Sequence, residues 1–157
     1  MNRDRFGVRR RSSKGANLAE TAMIIPLLLL LTFAIIDFST VLYVYLTLEN
    51  GVSQATRYAV TGQQIDDPNN MGQKLSREQS VKAAMRAAVP TLTIDDSCFQ
   101  FYNLTKATSG AGGPGDLIRV TINYDWSAFT PLIKPIVNGQ IHLTVQSTMK
   151  NESFPTS

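Results

Sequence analysis

The longest apolar segment of the chain lies close to its N-terminus. Residues Ala22 to Ile36 carry no charge, and Thr32 is the only polar residue among them. As a helix this run covers about 22 Å, against a hydrocarbon thickness of about 30 Å, so the span must include Glu20 or Asp37 near one interface. Pro26 lies within the run, where membrane helices tolerate proline. The pattern therefore predicts a membrane-spanning helix.

The apolar pattern continues beyond Asp37 with a helical period. Leu48, Val52, Ala55 and Ala59 fall on one helical face. We expect this stalk to end at Gly62, which suits a helix C-cap, and to pack against its own domain. An oligomer seam is the alternative use of the stripe.

The remaining segments predict a small α+β domain. Ser76 to Gln79 have the form of a capping box, opening a second helix that runs through Val81, Ala84, Met85 and Ala88 and stops at Pro90. Apolar and polar residues then alternate over 118–126 and 141–146, and an earlier strand is expected around 98–104. The fold class is α+β: a long N-terminal transmembrane and stalk helix, a second helix and an antiparallel sheet of three or four strands.

Two connections in this domain are distinctive. The glycine-rich segment 109–116 lacks the Lys-Ser/Thr and the following helix of a phosphate-binding loop, so we predict a flexible connector. The segment 129–136 is apolar and interrupted by prolines. It suits either a cover for the sheet edge or a partner surface.

Charge is distributed unevenly along the chain. The net charge is +3, but residues 1–15 hold six of the 15 basic side chains and one of the 12 acidic ones. The remainder has a net charge of about −2. The basic character therefore belongs to a leader, and no nucleic-acid-binding footprint remains.

The chain has few residues suited to catalysis. Cys98 is the only cysteine and His142 the only histidine. A buried free thiol and an exposed histidine are the expected states, and a Cys–His pair would have to join residues far apart in sequence. The adjacent carboxylates of Asp95 and Asp96 would point in different directions, which makes a poor acid–base pair. We therefore expect no enzymatic activity, cofactor, metal or small-molecule substrate, and we expect Trp126 to pack in the core.

The basic cluster before the apolar run predicts the orientation. The first basic residue after the run is Arg57, so the positive-inside rule places the N-terminus in the cytoplasm and the C-terminal domain outside it. A cleavable secretory signal is the rival interpretation. The sequence Phe33-Ala34-Ile35-Ile36-Asp37 has no A-x-A site at the end of the run, which favours retention as a membrane helix.

A different processing signal precedes the run. It consists of Gly15, Ala16 and, five residues after the glycine, Glu20, followed by the hydrophobic helix. With the proline-leucine run, the Asp37-Phe38 pair and the downstream sequence ATRYA, residues 14–62 resemble the TadE-like family of the tight-adherence (Flp-type) pilus system. Thr21 departs from the aromatic residue that such prepilin-like substrates usually carry there.

The resemblance implies a division of the chain into three parts. Residues 1–15 would be a basic cytoplasmic leader removed by a prepilin peptidase, leaving Ala16 as the mature N-terminus. Residues 16–62 would form the membrane and stalk helix, and residues 63–157 an extracytoplasmic domain. The implied function is that of a minor pseudopilin in the bacterial inner membrane, working with other pilus subunits, the inner-membrane assembly platform and the lipid bilayer.

The two carboxylates at the ends of the span have more than one interpretation. Glu20 would pair with the new ammonium of Ala16, within or between subunits, and it would also favour the helix N-terminus through the macrodipole. Asp37 is either an interfacial residue at the outer end of a short span, which we favour, or a buried contact with a partner.

Three functions compete on this evidence. The favoured one is the minor pseudopilin processed after Gly15. A permanently anchored periplasmic interaction module would retain the span but would not need cleavage at that glycine. A secreted hydrolase would need a nucleophile, base and orienting group, or paired acids in a cleft, for which the sequence has few candidates.

Overall fold

The apolar run lies within a single long helix. The computed structural model of the chain describes residues 13–131 and 133–154. Most of the predicted basic leader, together with Leu132 and the last three residues, lies outside these ranges. Helix α1 spans Ser13–Val60 and passes through Pro26 without a break. Gly62 follows with φ +67°, and its N–H donates to the Ala59 carbonyl at 3.2 Å, which confirms the predicted helix end.

The second helix follows its predicted capping signal. Helix α2 spans Arg77–Ala88, and the Ser76 hydroxyl accepts a hydrogen bond from the Gln79 N–H at 3.3 Å. The helix ends two residues before Pro90, whose predecessor is disfavoured in the helical region. Ser80, Val81 and Met85 form its buried face.

The sheet has four antiparallel strands in the order β2-β1-β3-β4. The strands are β1 (Phe99–Asn103), β2 (Thr108–Ser109), β3 (Leu117–Ser127) and β4 (Gln140–Lys150), with a 3₁₀ turn at Asp96–Cys98 before β1. The β3–β4 register runs from Leu117 opposite Lys150 to Ser127 opposite Gln140. This arrangement confirms the predicted α+β class. The short strand β2 includes Ser109, the first residue of the predicted connector 109–116.

The stalk face of α1 packs within the chain. Leu48, Val52, Ala55 and Ala59 are almost fully buried, and α1 contacts α2, β3 and β4. The apolar side of the sheet completes this core with Ile118, Val120, Ile122, Trp126 and Val145. The stripe is therefore an intramolecular packing face, as predicted, and Trp126 lies in the core.

The glycine-rich segment is more constrained than a flexible connector. Asp116 Oδ2 accepts hydrogen bonds from the Gly113 N–H at 2.7 Å and from Asn103 Nδ2 at 2.8 Å. Asn151 Nδ2 donates to the Ala111 and Gly113 carbonyls. The Gly113 N–H, with Lys106 and Asn103, lowers the pKa of the Asp116 carboxyl. The flexible-connector prediction is therefore corrected, because polar side chains distant in sequence satisfy the backbone of the loop.

Arg77 contacts the end of α1, the glycine-rich segment and the C-terminal segment, at the end of the domain that is farthest from the apolar run. Its guanidinium donates to the Ala59 carbonyl at 2.9 Å and to the Gly112 carbonyl, and it stacks 4.5 Å from the ring centroid of Phe154. Burial lowers the pKa of Arg77, while Asp116 raises it. The opposite end of the domain, where β3 ends and β4 begins, therefore faces the apolar run.

Candidate functional site

The apolar run is uncovered along most of its length. Within the described residues, α1 is the helix that is long and apolar enough to cross a membrane, and only 6% of its most apolar 18-residue window is buried. The core helix of a soluble domain would be mostly buried. The exposure of its apolar run therefore distinguishes α1 from such a core helix. The following large side chains of the segment are exposed: Leu18, Met23, Ile24, Ile25, Leu27, Leu28, Leu29, Leu30, Leu31, Ile35 and Ile36.

Hydroxyl groups along this segment are satisfied by the helix itself. Thr21, Thr32 and Ser39 each donate to the carbonyl four residues earlier at 2.8 Å. Such bonds remove an unpaired donor from an apolar environment. They explain how Thr32 fits in the middle of the run.

The predicted processing residues lie at the accessible start of α1. The Gly15–Ala16 bond lies within α1, among the first helical residues that the structure describes. Gly15 is exposed, and a Cβ added there would meet nothing within 4 Å. Ala16 and Glu20 are also exposed, and their i, i+4 spacing places them on one helical face. All three predicted processing residues are therefore accessible on the surface of the helix.

Asp37 lies at the other end of the run and is 3% exposed. Its Oδ1 accepts from the Phe129 N–H at 3.0 Å and from the Thr130 N–H at 3.3 Å, and the Thr130 hydroxyl donates to Oδ2. These donors belong to the β3–β4 connection, more than 90 positions away in sequence. Neither interpretation from the sequence, an interfacial residue or a contact with a partner, included a bond within the chain.

The β3–β4 connection covers this part of α1. Ile133 and Val137 pack partly buried against the core. Together with Ala34 and Phe38 they line a cavity of about 170 Å³ beside Asp37. The connection therefore joins the sheet to the helix at the point where the apolar run ends.

The isolated cysteine and histidine do not meet. Cys98 is partly buried rather than buried as predicted, and it immediately precedes β1. His142 is 79% exposed on β4 and pairs with Asp125 of β3. Because β3 separates β1 from β4, the two residues are about 10 Å apart at the closest strand spacing, too far for a Cys–His pair.

The fold and the site thus describe a protein with one N-terminal helix suited to a bilayer and an α+β domain attached to it. A family model described as TadE-like protein matches residues 15–57, which confirms the resemblance indicated by the sequence and makes this segment TadE-like. The match associates the chain with the tight-adherence pilus system. No curated protein and no solved structure matched the chain in parallel comparisons.

The role of Asp37 can be tested with two substitutions. We expect Asp37→Leu to destabilise the domain by about 2–4 kcal/mol, because the two N–H groups and the hydroxyl at 129–130 lose their buried acceptor. Asp37→Asn retains one acceptor oxygen and should cost less. The measurement is urea unfolding of the full-length protein in detergent, followed by Trp126 fluorescence. Equal stability of the leucine variant and the wild type would contradict the structural role of Asp37.

Proposed function

We propose that this chain is a minor pseudopilin that takes part in assembly of a tight-adherence (Flp-type) pilus. Residues 1–14 face the cytoplasm, α1 crosses the inner membrane, and the α+β domain is extracytoplasmic. The family match and the basic leader support this assignment. In this role the protein is a structural subunit and not an enzyme.

The observation that carries the proposal is an apolar stripe that α1 leaves uncovered above the run. Phe38, Leu42 and Leu46 follow each other at i, i+4 and i+8, and they are 67%, 46% and 49% exposed. The domain occupies a different face of the same helix, that of Val44, Leu48 and Val52. A helix that acts only as an anchor has no need of a second apolar face outside the bilayer, whereas a helix that packs against other subunits does.

Processing would convert the start of α1 into an assembly element. Cleavage after Gly15 gives Ala16 a free ammonium one helical turn from the Glu20 carboxylate. Neither charge is favourable alone at the edge of the hydrocarbon, so each stabilises the other, within one subunit or between two. This step makes a prepilin peptidase the first partner of the chain.

The apolar run 22–36 and the uncovered stripe of Phe38, Leu42 and Leu46 indicate the remaining partners. The bilayer holds the run 22–36 until the subunit leaves the membrane, and other pilus or pseudopilin subunits would then take the place of lipid around it. The inner-membrane assembly platform would supply the extraction step. Phe38, Leu42 and Leu46 would contact those subunits from the outer edge of the bilayer outward.

The mature N-terminus tests this proposal directly. We expect mass spectrometry of the protein co-expressed with the prepilin peptidase of its host to give a chain that begins at Ala16. Protein made without the peptidase is the control and should retain the leader. A chain that keeps residues 1–15 in both cases would contradict the pseudopilin role and favour the permanently anchored module.

A further inference from the structure

The β3–β4 connection carries both packed and exposed apolar side chains. Its backbone forms successive turns, in which Ile133 and Lys134 donate to the Thr130 carbonyl and Ile136 and Val137 donate to the Ile133 carbonyl. Ile133 and Val137 pack on the core. Phe129 and Ile136 do not pack in this way, since Phe129 is 79% exposed and Ile136 is 69% exposed. Packing within the chain does not account for these two side chains.

The position of the connection is fixed relative to the apolar run. The bonds from Phe129 and Thr130 to Asp37 hold it at the residue that directly follows the run. The cavity beside Asp37 is lined by Ile133 and Val137 and also by Ala34, three residues inside the run. At 1.5 Å rise per residue, the cavity between the connection and the helix therefore extends about 4.5 Å below Asp37.

The length of the run sets the depth of this region in a bilayer. From Glu20 to Asp37 the helix rises about 26 Å, slightly less than a hydrocarbon thickness of about 30 Å. A helix with Glu20 at the cytoplasmic edge thus places Asp37 at or just inside the outer edge. Because the connection is hydrogen-bonded to Asp37, it lies at the same depth. A carboxylate exposed to hydrocarbon at this depth would be costly, and the burial of Asp37 within the chain avoids that cost.

The charge of the connection suits the surface of a bilayer. Between Ala128 and Gly139 the sequence contains Lys134 and no acidic residue. Lys134 is exposed and lies two residues before Ile136 in the same connection. A cation together with aromatic and aliphatic groups is the combination that favours the headgroup region, where the cation meets lipid phosphates and the apolar groups meet the upper acyl chains.

We propose that Phe129 and Ile136 insert into the outer leaflet of the bilayer that α1 crosses, with Lys134 at the phosphate level. This membrane-docking surface, defined as Phe129, Lys134 and Ile136, gives the domain a second contact with the lipid and fixes its orientation on the membrane. The proposal depends on the membrane span of α1 and not on the pilus role, so either can fail without the other.

Single-cysteine spin labelling of the full chain tests the docking. In a Cys98→Ser background, Phe129→Cys and Ile136→Cys each carry a nitroxide, and Met71→Cys is the control. Met71 is fully exposed and follows the far end of α1, so its label should remain in water. The proteins are reconstituted at low density in vesicles of equal parts phosphatidylethanolamine and phosphatidylglycerol.

The readout is the collision rate of each label with oxygen, which concentrates in hydrocarbon, and with a water-soluble nickel chelate. We expect the oxygen-to-nickel ratio at 129 and 136 to exceed that at 71 several-fold. Equal ratios at the three positions would overturn the proposal. So would low accessibility to both reagents at 129 and 136, because it would indicate a protein contact. The labels at 129 and 136 test the proposal independently of each other. Circular dichroism establishes that each labelled variant is folded.

Discussion

Gly15→Val is expected to abolish maturation of the protein when it is co-expressed with the prepilin peptidase. A peptidase must approach the backbone at the scissile bond, and a β-branched side chain obstructs this approach where glycine does not. A steric clash within the chain would not explain the loss of maturation, because a Cβ at Gly15 would meet nothing within 4 Å. The variant should therefore insert and fold normally but keep residues 1–15, and the host should lack surface pili.

A second glycine in the leader provides a matched control. Gly7→Val makes the same substitution eight residues upstream, away from the scissile bond. It should be processed like the wild type. Gel mobility and the mass of the mature chain measure both variants, and pili are scored in the native host. Normal shortening and normal pili with Gly15→Val would refute the processing hypothesis.

Glu20→Ala separates processing from assembly. The helix should still insert, because a carboxylate has been removed from the membrane edge. Assembly is expected to fail, because the new ammonium of Ala16 loses its proposed partner. A shortened chain without surface pili is the expected combination. Wild-type piliation in this variant would show that the pairing of Ala16 and Glu20 is not required.

Gly51→Val is expected to destabilise the domain by about 2–3 kcal/mol, the cost of overpacking a well-packed interface. A Cβ at Gly51 would lie 2.6 Å from Val89 Cγ1 and 3.3 Å from Met85 Cε, so α1 and α2 approach this closely because position 51 has no side chain. Val89 is buried, and its β-branched side chain has few alternative rotamers. Urea unfolding in detergent, followed by Trp126 fluorescence, measures the loss.

Two controls assign this loss to the helix–helix contact. Gly15→Val places the same side chain in the same helix in open space, and it should leave the stability of the domain unchanged. Adding Val89→Ala to Gly51→Val removes the methyl group that clashes. The double variant should then be more stable than the sum of the single effects predicts, by about 1 kcal/mol. Strict additivity would show that the clash is not the cause.

Features that depend on neighbouring residues were predictable from the sequence. The membrane-length run, the face of Leu48 and Val52, the Ser76 cap, the helix end at Gly62 and the alternating strands β3 and β4 all follow from periodicity and local backbone chemistry. The TadE-like resemblance also depends on a contiguous segment, and the family match covers most of it.

Features that depend on contacts between distant residues were not predictable from the sequence. The alternatives for Asp37 lacked its actual partners, because Phe129 and Thr130 are more than 90 positions away and a loop amide leaves no periodic signal. The glycine-rich segment indicated flexibility, because composition does not reveal that the distant side chains of Arg77 and Asn151 satisfy its backbone carbonyls. Nothing in the residues around Gly51 indicates the close approach of Val89, which lies 2.6 Å from where a Cβ at position 51 would be.

The sequence by itself determined that the chain has one apolar helix of membrane length, a processing-type glycine and glutamate before it, and an α+β domain after it. These properties depend on the spacing of apolar residues and on the charges within short segments of the chain. Only the tertiary structure decided which face of α1 the domain occupies, and therefore that Phe38, Leu42 and Leu46 remain uncovered. It also placed the β3–β4 connection at the outer end of the run, because β3 and β4 pack along α1 and so bring their connecting loop to Asp37.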